Sequence, residues 1–313
     1  MGWGIPFGVQ MMRIAVSGSH GLIGSALVQA LAQAGHEVVR LVRDGAGGTG
    51  IAWDPERGTL DRSALEGIDA VVHLAGYGIA ERRWTAPVKE LIRSSRVNGT
   101  RLLATALADM VRRPQVLVAA SAIGYYGDRR DTWLEEDSEP GTGFLADVCR
   151  AWEAAAEPAR AAGIRTVTAR IGIVLSPEGG ALQRMLLPFK LGLGGRIGSG
   201  QQYMSWVACD DVVAAIQFAI EQSSLAGPVN VVAPEPVTNR EFTQVLARVL
   251  RRPAFLPLPS FLARLAFGEM ADALLLASTR VRPRRLLEAG YTFRFPTLEA
   301  ALRHLLQRPA IST

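Results

Sequence analysis

The stretch MRIAVSGSHGLIGSALVQALAQAG (12–35) decides the fold. Its first part, MRIAVSG (12–18), is a continuous apolar run of strand length, and its last part, LIGSALVQALAQAG (22–35), is apolar at helical spacing and ends at Gly35. Between them lies the turn Gly18-Ser19-His20-Gly21-Leu22-Ile23-Gly24. Glycines at these spacings allow a tight turn, close approach of the backbone to a ligand, and close contact between helix and strand. The start of the following helix offers free N–H groups and the positive end of its dipole, which suits a phosphate. A glycine triplet alone would also serve a plain strand-to-helix turn. Here a strand precedes it, a helix follows, and HEVVRLVR (36–43) supplies a second strand, so the loop reads as a dinucleotide-binding turn.

The end of the second strand bears on which dinucleotide. An NAD site carries an acidic residue about 20 positions past the glycines, where it accepts from the ribose 2′-hydroxyl. Val42 and Arg43 stand there, with Arg40 just before, and Asp44 falls one or two positions too late. A guanidinium can pair with a 2′-phosphate, so NADP(H) is the expected cofactor.

Outward from this unit the pattern continues to alternate. DAVVHLAG (69–76) reads as a strand, 88–110 as a long helix, QVLVAAS (115–121) as a strand, 144–162 as helix and RTVTARIGIVL (165–175) as a strand. Continuous apolar strands alternating with helices predict an α/β fold, a Rossmann-type doubly wound parallel sheet. Past residue 175 the texture changes. The segment 179–212 is Gly-dense, and helices expected at 211–221, 239–251 and 282–289 alternate with proline-broken links. The expected division is a short disordered extension at 1–11, a Rossmann domain at 12–175 to which later segments return, and a smaller, mostly helical lobe at 176–313. Met12 opens the first convincing strand, so a start upstream of the fold is expected.

Composition narrows the function classes. The 34 basic residues are nearly balanced by 29 acidic ones along the chain, and no basic cluster with interleaved aromatics appears, so no nucleic-acid partner is expected. Only Lys89 and Lys190 are lysines, which leaves few candidates for a catalytic amine. Cys149 and Cys209 form no disulfide framework or metal spacing and fit a reducing cytoplasm. The four histidines, His20, His36, His73 and His304, have neither metal nor triad spacing, and no metal is expected. The apolar stretch 261–277 contains Arg264, Glu269 and Asp272, so it reads as packed helices and not a membrane span, and no membrane partner is expected.

The spacing of Gly18, Gly21 and Gly24, the strand DAVVHLAG, the VNGT (97–100) inside a long helix and the strand ending in Ser121 together resemble the extended short-chain dehydrogenase/reductases, the NAD(P)-dependent sugar-nucleotide epimerase and dehydratase relatives. WDP (53–55), RRWT (82–85), SAIGYYG (121–127), FLADVCRAWEAAA (144–156), GSGQQYMSW (198–206) and PRRLLEAGYTF (283–293) carry a closer resemblance to one atypical, epimerase-like branch with its own C-terminal domain. Together these motifs run from Met12 to about residue 306. The resemblance implies cofactor contacts at Gly18 to Gly24, Arg43, and Leu74-Ala75-Gly76. It implies Arg96 in place of a customary Asn, and Ile173 flanking the nicotinamide. Arg96 and Arg170 could equally be surface ion-pairing residues.

Members of the larger family orient the substrate with a Ser after the fourth strand. A Tyr passes the proton, and a Lys four residues later, on the same helix face, lowers the Tyr pKa. Ser121 is present, but aligning on Glu153 puts Leu145 where Tyr belongs and Cys149 where Lys belongs. Leu cannot carry a proton, and a thiol does not replace an ammonium. Three readings stay open. An active NADP(H)-dependent oxidoreductase or epimerase would act on a small molecule, a nucleotide sugar or another carbonyl compound, with Tyr125 or Tyr126 as the nearest phenols to Ser121. A second reading is a silent NADPH-binding regulator or redox sensor, and the third makes Cys149 a nucleophile. Arg82, Trp84, Arg170 and Trp206 are the candidate substrate contacts, although Arg82-Arg83-Trp84 could equally open a helix. Asp210 is expected to cap the helix at 211–221. The resemblance also implies a homodimer through the helices at 88–110 and 144–162, of which the chain gives no independent sign.

Overall fold

In the computed structural model, which describes residues 11–43 and 50–307, Met12 leads into strand β1 (Arg13–Ser17), helix α1 (Leu22–Gln33) and strand β2 (Glu37–Val42). A short antiparallel hairpin follows, β3 (Ile51–Asp54) and β4 (Thr59–Leu60), and then β5 (Ala70–His73), α2 (Ala86–Ala108) and β6 (Val116–Ala122). After β7 (Trp133–Leu134) come α3 (Phe144–Ala154), α4 (Glu157–Ala161), β8 (Arg165–Ile171), β9 (Ile173–Ser176) and α5 (Gly180–Lys190). The remainder is β10 (Tyr203–Met204), β11 (Trp206–Ala208), α6 (Cys209–Glu221), β12 (Gly227–Val231), β13 (Val237–Thr238), α7 (Asn239–Leu250), α8 (Ser260–Phe267), β14 (Arg280–Val281), α9 (Arg284–Glu288) and α10 (Leu298–Gln307).

Eight strands form the central sheet in the order β12-β8-β6-β5-β1-β2-β3-β4, parallel except for the β3–β4 hairpin. The chain runs outward from β1 to β4 on one side and then from β5 to β12 on the other. The reversal lies between β1 and β5, and ligands of open parallel sheets bind outside the strand C-termini at such a point. Alternation along β1 fixes the two layers: Ile14 and Val16 face Leu27 and Leu31 of α1 and Val212 and Ile216 of α6, while Ala15 faces Leu103 and Leu107 of α2. Cutting one of these buried leucines back to alanine costs about 2–5 kcal/mol.

The expected α/β Rossmann-type sheet is present, with four differences in detail. The strand at 165–175 breaks at Gly172, where a Cβ would stand 2.6 Å from the Ser205 carbonyl and 2.8 Å from Val232. β8 stays in the central sheet, and β9 leaves it to pair with β11. The Gly-dense segment contains the helix α5, which buries Leu182, Leu186 and Phe189 in the lobe core with Trp206, Phe242 and Leu246. The stretch 144–162 is two helices, α3 and α4. α6 begins at Cys209 after an N-cap at Ala208 that makes no side-chain cap, so Asp210 lies in the first turn and not at the cap, and it bonds His304 at 2.7 Å. Later segments return to the first domain: β12 is an edge strand of its sheet, and α6 packs on α1. The expected disordered extension falls almost wholly, and Asp44 wholly, outside the described residues. Among those described, no helix is long and apolar enough to cross a membrane.

Candidate active site at the strand ends

The crevice begins where β1 ends. Gly18 has φ +69°, and a Cβ there would stand 2.8 Å from the Ala75 nitrogen, so the loops after β1 and β5 touch backbone to backbone. A Cβ on Gly24 would fall 2.1 Å from the Gly18 carbonyl, which is why the first turn of α1 can sit against the loop. Gly21 is exposed and starts α1 with no side-chain cap, leaving the helix N-terminus open to a ligand. Ser19 is buried beneath this turn, whereas His20 is exposed and lies 3.5 Å from Arg40 of β2. Arg43 is exposed just past β2 and lies 3.9 Å from Glu56.

Beneath the crevice, Ser17 ties β1 to β5. The amides of Leu74 and Ala75 donate to Ser17 Oγ at 3.2 and 3.4 Å, which leaves the hydroxyl proton to His73 Nδ1 at 2.6 Å. The proton of neutral His73 therefore sits on Nε2, which has no hydrogen-bonding partner and lies among apolar groups beside Trp53. Burial pushes the His73 pKa down to about 4, so the imidazole is neutral. The strand reading of His73 holds: it is scaffold, fully buried.

Arg96 lies under Gly76, where a Cβ would stand 3.3 Å from its Cγ and Cζ. It donates to the carbonyls of Tyr77 and Ile92 at 2.9 and 3.0 Å, and its guanidinium carbon is 5.1 Å from the Trp152 ring centroid. Among the described residues it has no carboxylate partner. Burial lowers the Arg96 pKa, yet a guanidinium stays protonated. A half-buried cation with free donors thus faces the loop after β5.

At the other end of the crevice, the Ser121 hydroxyl donates to Glu153 at 2.7 Å, and Arg170 grips both Glu153 oxygens at 2.9 Å. Arg170 also donates to the Tyr126 hydroxyl and the Glu136 carbonyl, each at 3.0 Å, and Tyr126 donates to Asn230 at 2.7 Å. The Arg170 side chain is 3% exposed. Burial works against its charge, but Glu153 and Tyr126 outweigh that and its pKa rises. Arg170 is therefore not an outward-facing substrate contact. Tyr126 is fully buried and pushed up to about 12 by burial, a phenol spent on packing and hydrogen bonds. Tyr125 differs: it is only partly buried, its ring lies 3.5 Å from the Arg170 guanidinium carbon, and its hydroxyl has no partner among the described residues.

The gap left by the absent Tyr–Lys pair is filled. A Cβ on Gly124 would be 3.3 Å from Leu145 Cβ and 3.7 Å from Cys149 Sγ, so both side chains pack on the short helical turn that carries Tyr125. Cys149 is 3% exposed, and burial, then Glu153, pushes its pKa up to about 12. A thiol so reluctant to ionise is no nucleophile at neutral pH.

Of the remaining candidates, Trp206 is fully buried in the lobe core, with its indole N–H on the Glu235 carbonyl at 3.0 Å. It does not form a substrate wall. Ile173 is partly buried in β9 and paired with Trp206. Trp84 donates to the Ile79 carbonyl at 2.8 Å and edges onto Phe144, and the two line a cleft of about 440 Å³ with Lys89 and Asp147. Arg82 is exposed beside it. Thr85, immediately after Trp84, caps α2 by accepting from the Val88 amide at 3.4 Å. Among the described residues no cluster of His, Cys, Asp or Glu could hold a metal. Glu153, Glu136 and Asn230 are site residues that the sequence reading misses. A lone Arg170 within the apolar run VTARIGIVL is the one signal that could have pointed to a buried acid.

Comparison with known proteins agrees with this geometry. Residues 14–233 match the model of the NAD dependent epimerase/dehydratase family. The chain belongs to that family. Residues 258–305 match a second model, described as a domain of unknown function (DUF1731). The epimerase family protein MT2273 of Mycobacterium tuberculosis is 48% identical over 297 residues, covering 95% of this chain and 98% of its own. The bovine epimerase family protein SDR39U1 is 42% identical, with 94% and 100% covered. The crystal structure of human epimerase family protein SDR39U1 with NADPH superposes with a TM-score of 0.87 at 38% identity, covering 94% of this chain and 99% of that one. Within the epimerase/dehydratase family the chain thus falls in the atypical branch with the additional C-terminal domain.

Proposed function

We propose that this protein binds NADP(H) across the crevice and moves a hydride between C4 of the nicotinamide and a small carbonyl or alcohol substrate, with Tyr125 as proton donor. The observation that carries the cofactor reading is Arg96, a half-buried guanidinium without a carboxylate, directly under the loop that follows β5. Such a cation is completed by an anionic ligand. Arg40 and Arg43 beside the turn favour the 2′-phosphate of NADP(H) over NAD(H), and the human relative crystallised with NADPH supports that choice.

For the chemistry, the hydride would leave NADPH for a carbonyl carbon while the carbonyl oxygen takes the Tyr125 proton, giving an alcohol and NADP⁺. The Arg170 guanidinium packs against the Tyr125 ring and fixes its position. Ser121 and Glu153 hold Arg170 in place. The substrate would enter past Arg82 and Trp84, where an exposed guanidinium and an aromatic edge suit a nucleotide sugar or another anionic carbonyl compound. The test is consumption of NADPH with a carbonyl panel. Turnover that falls at least about a hundredfold in Tyr125→Phe, with NADPH binding unchanged, is the expected result.

One observation favours a second reading, a cofactor-binding regulator without turnover. The Ser121 hydroxyl is committed to Glu153, and Leu145 and Cys149 fill the place of the dyad. Tight NADPH binding with no hydride transfer to any panel member would establish it.

A further inference from the structure

Away from the crevice, the C-terminal lobe leaves large apolar side chains in water. Leu187, Leu191, Phe255, Phe261 and Leu265 are each 63% to 72% exposed. They lie on two strips held side by side, since the Leu256 amide donates to the Gly194 carbonyl at 3.2 Å and the Leu258 amide to the Arg196 carbonyl at 2.9 Å. The second strip continues directly into α8, where Phe261 and Leu265 stand one turn apart and Ala263 is buried behind them.

The charge on the same strips is one-sided. Stretches 182–200 and 250–268 contain Arg184, Lys190, Arg196, Arg251, Arg252 and Arg264 and no acidic residue. Among the described residues only Arg264 of these is answered by a carboxylate, Asp272 at 2.9 Å. Arg196 and Arg240 flank the turn at Gly200, both bond backbone carbonyls and, among the described residues, no carboxylate, and with Phe255 they line a pocket of about 290 Å³.

We propose that this face docks on an anionic phospholipid surface. The Phe and Leu side chains would enter the boundary between headgroups and acyl chains, and Arg196 and Arg240 would take a headgroup phosphate. Exposed aromatic and leucine side chains rimmed by unanswered cations are what such a surface complements. A second copy of the chain is disfavoured because each copy would bring the same cations to the contact. α8, at eight residues, lies on the surface and does not cross it. The proposal revises the expectation from sequence that the protein has no membrane partner.

Cosedimentation of the full chain with vesicles tests it. The protein is expected to bind phosphatidylcholine vesicles containing phosphatidylglycerol, to be released by salt, and to ignore vesicles of phosphatidylcholine alone. Phe261→Ser with Leu265→Ser, and separately Arg196→Ser with Arg240→Ser, are each expected to weaken binding at least about tenfold while the thermal midpoint stays unchanged. Failure to bind phosphatidylglycerol vesicles, or variants that bind as the parent does, overturns the proposal. So does a dimer in sedimentation velocity that Phe261→Ser dissociates, which would assign the face to a second copy.

Discussion

At the β1–β5 end of the crevice the parts meet through backbone: Gly18 against Ala75, Gly24 against Gly18, and an uncapped helix start facing the open space. At the β6–β8 end the same sheet is closed by side chains, with Ser121, Glu153, Arg170, Tyr126 and Asn230 joined in one buried chain of hydrogen bonds. The first end depends on the absence of side chains, so the identity of a few glycines determines it. The second depends on charge compensation, so its members must change together or not at all. This is how a crevice built for a dinucleotide can keep its shape while its proton-transfer groups are replaced.

The largest expected effect breaks the side-chain end. Arg170→Met leaves the partly buried Glu153 without its cation and should cost about 3 kcal/mol in urea denaturation. The double variant Arg170→Met with Glu153→Leu should recover much of that loss, and a double variant as unstable as the single one would show that the pair does not act as a unit.

The link beneath the backbone end responds to pH. Native His73 titrates at about 4 and the unfolded residue near 6.5, so below 6.5 only the unfolded chain takes up the proton. Its contribution is complete above pH 6.5 and is lost as pH falls toward 4, by about 3 kcal/mol in all. Denaturation curves at a series of pH values should show that slope, and His73→Asn should remove it.

A smaller effect attacks the backbone contact directly. Gly18→Ala combines a positive φ with a Cβ 2.8 Å from the β5 loop. It should destabilise by about 1–2 kcal/mol from the backbone conformation alone, with NADPH affinity falling in the same protein. Calorimetry and fluorescence titration would separate the two losses. Smallest of all, Arg96→Ala should leave the fold intact and weaken NADPH about tenfold, and unchanged affinity would detach Arg96 from the cofactor.

The two ends also differ in how far they are legible in the chain. Gly18, Gly21 and Gly24 announce their role because strand, turn and helix are contiguous there, and local steric rules act over a few residues. The continuous apolar strands likewise fix the sheet. The break at Gly172 is not legible, because it depends on Ser205 and Val232 arriving from later in the chain. Trp206 looks like a site residue beside a Gly-rich segment, yet it is core, because α5 and α7 fold over it.

By itself the sequence determines the Rossmann-type order of elements and the glycine turn after β1, which rest on local spacing and residue chemistry, and its family resemblance points to the missing Tyr–Lys pair. Only the tertiary structure decides what stands at the other end. Glu153 lies 17 positions from Arg170, and Asn230 is 104 from Tyr126. They meet because β6, β8 and β12 are neighbours in the sheet and α3 packs against β6, and a charge buried there is tolerated only with its partners in place.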